Sequence, residues 1–290
     1  LSWFKEQFSE RFFDFGVAEA NMMSAAAGLA LSGKKPFVST FAIFATGKAW
    51  EQVRQTIAYN NLPVKIIATH AGITVGEDGA SHQTVEDIAI MRALPNMTVI
   101  VPADYYETKR VIYAVYNHSG PVYVRLARAA FPVVFDQNYS FELGRAKIVR
   151  AGRDVTIFAC GLMLYHSLKA AELLEREKIS AQVVNVSTVK PLDAQVIEYA
   201  RATGCAVSVE EHSIIGGLGG ALAEILSEHA LPLVRVGVQD RFGQSGKPDQ
   251  LLAHYGLTAE RIAEAARRMR DRREGPHPQP LSRLNGRGVA

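Results

Sequence analysis

Short, continuously apolar runs alternate along this chain with longer stretches in which apolar positions recur every three or four residues. RFFDFGV precedes a helical ANMMSAAAGLAL, PFVSTF precedes GKAWEQVRQTIAY, and PVKIIATH enters a glycine-rich loop before TVEDIAIMRAL. MTVIVPA then precedes DYYETKRVIYAVYN, and PVYVRLAR closes the series. Runs this apolar read as strands covered on both faces, which means parallel sheet in βαβ order. Thr84 with Asp87, and Asp104 with Glu107, have the spacing of helix-start capping boxes. After a polar, irregular stretch the alternation restarts with VTIFAC, AQVVNVS, CAVSVEE and LVRVGV, with helices predicted near 164–178, 193–203, 217–229 and 258–272. The pattern predicts an α/β protein of two domains, each a mostly parallel sheet flanked by helices. Their bounds are 1–135 and 151–273, with a linker over 136–150 and a disordered tail over 274–290, whose Pro-rich and Gly-rich composition leaves little to bury.

Composition adds exclusions. A chain of 290 residues, 48% of them hydrophobic, can fill two cores. The formal charge of +3 is uneven: residues 260–290 hold eight Arg against four acidic residues, so the other 259 positions sum to −1. That balance argues against nucleic acid as a partner, and the cluster from Arg267 to Arg273 reads as a solvated helix end. The two cysteines, Cys160 and Cys205, lie in apolar runs, which predicts no disulfide framework and a reducing, cytoplasmic compartment. No apolar stretch has transmembrane length and no signal peptide opens the chain, so no membrane partner is expected.

In α/β sheets ligands bind beyond the carboxyl ends of the strands. The residues there are Glu19, Phe41, Phe44, His70, the loop AGITVGEDGASHQ with Asp78 and His82, and Arg128. Taken singly they are ordinary: the two Phe suit a core, His70 a cap, Asp78 a turn. Glu19 is the exception, a carboxylate within GVAEANMM that is either solvated at a helix start or buried for a chemical purpose. GGLGGAL at 216–222 follows a strand and opens a helix as a dinucleotide loop does, but lacks the full glycine spacing and the later acidic residue. Its glycines are read as close helix–strand packing or a subunit contact.

Several blocks together carry a family resemblance. RFFDFGVAEANMMSAAAGLA, FVSTFAIFATGKAWEQVR, IIATHAGITVGEDGASHQTVEDIAIMRALPNMTVIVPAD and VYVRLAR resemble the pyrimidine-binding domain of transketolase. STVKPLD, VSVEEHSIIGGLGGALAE and RFGQSGKPDQLLAHYGL resemble the transketolase C-terminal domain, so the likeness covers about residues 1 to 273. It implies thiamine diphosphate as cofactor, with Glu19 the catalytic carboxyl on the N1′ nitrogen of the aminopyrimidine, held in low dielectric where its proton affinity rises. By the same resemblance Phe41 and Phe44 pack on the pyrimidine, and His70 and Arg128 hold the terminal phosphate of a sugar substrate. Asp78 and His82 contact hydroxyls near the reacting carbonyl, His82 with a catalytic share.

Three departures qualify the likeness. Ala20 stands where the family commonly has Gln or His. Set against that family, the first strand and helix of the pyrimidine domain are not recognisable at the start of this sequence. No GDG element followed by Asn is present to hold the diphosphate and Mg²⁺. The resemblance therefore implies the C-terminal subunit of a split transketolase, moving a two-carbon ketol unit from a ketose phosphate to an aldose phosphate. It would be active only with an N-terminal subunit that supplies the metal ligands, in an α2β2 assembly. The alternatives are a deoxyxylulose phosphate synthase, in which the residue matching His70 is usually not His, and a non-catalytic transketolase-like subunit, against which Glu19 and both Phe speak.

Overall fold

Two five-stranded sheets organise the protein, whose computed structural model describes residues 1–274. The tail expected over 274–290 thus lies, beyond its first residue, outside the described residues. In the first half come α1 (Ser2–Gln7), α2 (Glu19–Leu31), β1 (Phe37–Val38), and α3 (Trp50–Gln52) between π-helical stretches Phe44–Lys48 and Val53–Ala58. β2 (Lys65–Ala68), a 3-10 stretch Ile73–Asp78, α4 (Asp87–Arg92), β3 (Thr98–Ile100), α5 (Tyr105–Asn117) and β4 (Val122–Arg125) follow. The second half runs through β5 (Lys147–Arg150), β6 (Val155–Ala159), α6 (Met163–Arg176), β7 (Ala181–Asn185), β8 (Thr188–Lys190) and α7 (Gln195–Thr203). It ends with β9 (Ala206–Ser213), α8 (Leu218–Ser227), β10 (Leu233–Val238), α9 (Pro248–His254) and α10 (Ala259–Glu274).

The first sheet has the order β1-β2-β4-β3-β8 and the second β10-β9-β6-β7-β5. Every pairing is parallel except those of β8 and β5, which add antiparallel to β3 and β7. β3, β4, β6 and β7 are buried along their whole length, polar residues such as Arg125 and Gln182 included, as strands with helices on both faces must be. β8 belongs by sequence to the second half, yet it pairs with the first sheet through Val99 with Lys190 and Ile100 with Thr188. One apolar cluster follows this crossover, running from Met23, Ile57 and Ile66 through Val99 and Phe158 to Val184, Val196 and Leu222. Full burial of each such side chain is worth about 1.5–3 kcal/mol, so the two sheets share one source of stability.

Some local expectations fail for identifiable reasons. RFFDFGV is not a strand: Phe13 and Val17 are exposed, and Asp14 accepts a bond from the Gly16 amide at 3.0 Å in a turn with φ +57° at Gly16. Thr84 does not cap α4, which begins after Glu86 without a side-chain cap. Asp104 does cap α5, accepting from the Glu107 amide at 2.9 Å, while Glu107 turns back to the Ala103 amide at 2.7 Å. β5 arises within the stretch expected as linker, where Lys147 and Arg150 hide an edge strand behind polar ends.

Candidate active site

Glu19 is the first residue of α2 yet only 6% exposed, so it is buried at a helix start and not solvated. Met23, Ala26, Ala27 and Ala30 follow on the same buried face, so the helix carries Glu19 inward with its own packing stripe. Lys48, at the end of the first π-helical stretch, donates to Glu19 Oε2 at 2.7 Å and reaches the Val17 carbonyl at 3.3 Å. That hydrogen bond holds the carboxylate below its usual range, outweighing the opposing effect of burial. The raised proton affinity expected at Glu19 is therefore corrected: its counter-ion lies 29 residues away in sequence, where local pattern gives no sign of it.

Phe41, just beyond β1, and Phe44, which opens the π-helical stretch, lie with ring centroids 6.0 Å apart and planes 13° from parallel. His70, two residues beyond β2, stacks on Phe41 at 3.8 Å and 9°. His82 meets both rings edge-on, at 6.3 Å from Phe41 and 5.6 Å from Phe44. His70 adopts φ +58°, a left-handed conformation that costs a non-glycine residue about 1–3 kcal/mol and that clusters at functional sites. Burial, then the charge of Arg128, lower the proton affinity of His70 against the pull of Asp78, which favours the neutral imidazole at pH 7. Arg128 donates to the Val75 carbonyl at 2.6 Å and pairs with Asp78 at 3.4 Å and Glu77 at 3.8 Å. Phe41, Phe44, His70 and His82 thus form one cluster, Asp78 and Arg128 meet beside His70, and Glu19 is joined to the segment of Phe44 through Lys48.

The loop bearing Asp78 and His82 is held by the second half of the chain. Gln83 is buried and donates from Nε2 to the carbonyls of Ile73 and Gly76, both at 3.1 Å, and of Gln244 at 2.9 Å. A Cβ on Gly243 would overlap Gln83 Oε1, and one on Gly79 would lie 2.5 Å from Ser245 Oγ. Gly243 in RFGQSGKP and Gly79 in the loop itself therefore permit the close approach that clamps the loop. Sequence patterning singles out neither Lys48 nor this clamp.

Deeper still, Arg125 at the end of β4 donates to Asp87 Oδ2 at 2.8 Å and to the Glu211 carbonyl at 2.9 Å, and lies 3.6 Å from Glu211 Oε2. Tyr123 donates to the same Asp87 oxygen at 2.6 Å, and Glu211 Oε1 accepts from the Thr74 amide at 2.7 Å. All four side chains are buried. Burial opposes the charge of Arg125, but Asp87 and Glu211 outweigh it and hold the guanidinium ionised; burial pushes the Glu211 carboxyl up. The dinucleotide-like turn has an internal occupant: Glu210 accepts from the Leu218 and Gly219 amides, both at 2.7 Å, at the start of α8. A Cβ on Gly217 would overlap Glu210 Oε2 and one on Gly219 would lie 2.7 Å from Ser208 Oγ, so these two glycines serve helix–strand packing. Cys160 and Cys205 are buried thiols. Among the described residues no three His, Cys, Asp or Glu side chains are grouped to hold a metal ion, and no helix is long and apolar enough to cross a membrane.

Comparison with known proteins matches both halves of the chain. The family model of the transketolase pyrimidine-binding domain matches residues 1–133, and that of the transketolase C-terminal domain matches residues 144–262. A putative transketolase C-terminal section of Methanocaldococcus jannaschii is 52% identical over 265 residues, covering 90% of this chain and 83% of its own. The 6-deoxy-6-sulfo-D-fructose transketolase subunit SqwH of Clostridium sp. (strain MSTE9) is 44% identical, covering 93% and 84%. A solved split gene transketolase, in the form of an inactive beta4 tetramer, superposes with a TM-score of 0.87 at 50% identity, covering 92% of this chain and 87% of that one. With both domain models matched in order and relatives this similar along most of its length, the chain belongs to the transketolase family, as a counterpart of its C-terminal section.

Proposed function

We propose that this chain is the C-terminal subunit of a transketolase divided between two polypeptides, contributing the pyrimidine half of a thiamine diphosphate site. The observation that carries the reading is the convergence of Phe41, Phe44, His70 and His82 on one rim, with buried Glu19 tied to the same segment by Lys48. A planar ring with a basic nitrogen needs an apolar slot and one carboxyl, and these residues fit that need. When bound, the cofactor supplies an acidic thiazolium carbon that no side chain can replace. The protein's part is to orient and to move protons. Lys48 engages Glu19 Oε2, which leaves Oε1 as the oxygen that would hold the N1′ nitrogen of a bound cofactor. Phe41 and Phe44 exclude water from the ring. Ser81 Oγ lies 3.0 Å from His82 Nδ1, so Nε2 serves the substrate hydroxyls together with Asp78. Arg128 and neutral His70 hold the phosphate at the far end of the sugar, Arg128 by charge-assisted bonds. The reaction is transfer of a two-carbon ketol unit between a ketose phosphate and an aldose phosphate.

The diphosphate and Mg²⁺ fit this chain poorly, since no cluster of metal-ligating side chains exists among the described residues. We assign those ligands to an N-terminal subunit, in an assembly of two copies of each chain about a two-fold axis. Calorimetry with thiamine diphosphate and Mg²⁺ tests the reading: weak binding to this chain alone and tight binding with the partner are expected. Full turnover by the lone chain would refute it. In the assembled enzyme, Glu19→Gln lowers ketol transfer by at least ~10²-fold; turnover of pyruvate with glyceraldehyde phosphate, in place of ketol transfer, would instead identify a deoxyxylulose phosphate synthase.

A further inference from the structure

Glu19 and Phe44 reach the rim from different elements, and one side chain joins them. The π-helical stretch Phe44–Lys48 widens its turn by one residue, the Ala49 amide donating back to the Phe44 carbonyl at 3.2 Å. Wide turns of this kind recur at functional sites. Phe44 opens the stretch and Lys48 closes it, and the Lys48 ammonium lies on Glu19 Oε2 at 2.7 Å. The same ammonium donates to the Val17 carbonyl at 3.3 Å, in the exposed bend that leads into α2. One cation thus fixes both the Glu19 carboxylate and the chain that delivers it.

No other charge competes for that carboxylate. Glu19 is the one ionisable residue of α2, and Lys34 and Lys35 lie beyond the opposite end of the helix. Of the elements packed against α2, β1 carries no charge, and Glu51 of α3 and Arg54 of the second π-helical stretch are exposed and bonded to Gln52 and Gln55 beside them. Asp14 accepts from the Gly16 amide, while His70 and His82 pack on the rings of Phe41 and Phe44. Among the described residues, Lys48 alone is within ion-pair distance of Glu19. Because the Lys48 side chain is 49% exposed, the pair adds little to stability. Its effect falls on the carboxylate: which oxygen is engaged, and whether the group is ionised.

We propose that Lys48 is a positioning residue, holding the Glu19 carboxylate turned so that Oε1 alone is left for a bound aminopyrimidine. The inference rests on the reading of this rim as the pyrimidine half of a thiamine diphosphate site. It gives Lys48 the part of the polar neighbour that the family commonly has where this chain has Ala20. Removing the ammonium has a signed consequence. The bond from Lys48 keeps the Glu19 carboxyl below its ordinary range, against the effect of burial. Without it burial acts unopposed, and the carboxyl takes up its proton at higher pH.

Two measurements test this. In the lone chain, side-chain carbon NMR of the glutamates, with the Glu19 signal assigned by Glu19→Gln, should show Glu19 titrating at higher pH in Lys48→Met than in the native protein. Lys48→Arg should return it. In the assembled enzyme with thiamine diphosphate and Mg²⁺, Lys48→Met should lower kcat/KM for ketol transfer, with a loss at least about threefold greater near pH 6 than near pH 8. Lys48→Arg should recover most of that loss, whereas a purely structural role would lower kcat/KM alike at both pH values. An unmoved Glu19 signal in Lys48→Met, or a loss equal at the two pH values, would overturn the proposal. The expected NMR shifts beside an assembled enzyme that transfers no ketol unit would overturn the functional reading, and with it the role given to Lys48, while the pair itself stands.

Discussion

Arg125→Met tests the energetics of the buried charge cluster most directly. The substitution keeps an unbranched apolar stem in β4 but removes the cation between Asp87 and Glu211, both buried and both held by that guanidinium. Breaking a buried pair from one side leaves an uncompensated charge and costs about 3–5 kcal/mol. Here two carboxylates lose their partner, so the upper part of that range applies, which at roughly 2–4 °C per kcal/mol lowers the thermal midpoint by about 10–20 °C. The loss has a pH signature. Burial already raises the Glu211 carboxyl and Arg125 is its chief counterweight, so the substitution raises it further. A carboxyl that binds its proton more tightly when folded makes the folded state take up protons, so stability falls as pH rises through that window and recovers as pH is lowered. The deficit of Arg125→Met should accordingly be smaller near pH 5.5 than near pH 8. Adding Asp87→Asn and Glu211→Gln keeps the acceptors for Tyr123 and the Thr74 amide while removing the charges. Urea unfolding across this series decides the matter: a triple variant no more stable than Arg125→Met would show that lost packing, not stranded charge, carries the cost.

Lys65, fully buried and donating to the His118 and Gly120 carbonyls at 2.7 and 2.6 Å, is lowered to about 8 by burial and then by Lys35. Between pH 8 and 10.5 the unfolded chain keeps a proton the folded one has released, so this residue's contribution to stability rises with pH across that window. The shift corresponds to about 3 kcal/mol, so any advantage of Lys65→Met in urea midpoint should be largest at pH 7.5 and shrink by pH 10.5; a constant difference contradicts the assignment. Gly217→Ala forces Glu210 off the amides of Leu218 and Gly219 and should cost about 3 kcal/mol, read by chemical denaturation. Gly243→Ala displaces Gln83 and with it the loop of His82, and in the assembled enzyme should lower kcat/KM about tenfold or more; unchanged kinetics would show the clamp to be dispensable. His70→Ala or Arg128→Ala should raise KM for phosphorylated sugars by removing a bond worth roughly 1.5–3 kcal/mol where a charge takes part, while equal losses on unphosphorylated acceptors would assign these residues to the fold.

The βαβ alternation was legible because it depends on local periodicity, and the apolar runs from PVKIIATH to LVRVGV contain β2 to β10 apart from two strands. Those two, β5 and β8, are short antiparallel additions whose pairing partners lie far away in sequence, so no period announces them. The same limit applies at the rim. Resemblance pointed to Glu19, Phe41, Phe44, His70, Asp78, His82 and Arg128, but the ion pair that sets the charge of Glu19 spans 29 residues and follows no motif. In VYVRLAR two arginines stand three residues apart, and only the three-dimensional path of β4 makes Arg125 a buried partner of Asp87 while Arg128 emerges beside Asp78.

β8 and Arg125 also bear on where a gene for such a protein can be divided. A boundary drawn between the two sheets would separate β3 from the strand that closes its edge and leave Asp87 and Glu211 on different polypeptides, each with a buried charge to satisfy. Fragments cut there would have to find each other before either could finish folding. The rim of Glu19, by contrast, is walled by half-exposed aromatic and histidine side chains that a second chain can cover after folding. Evolutionary fission and laboratory dissection alike should therefore tolerate a break at that rim and fail at the seam between the sheets.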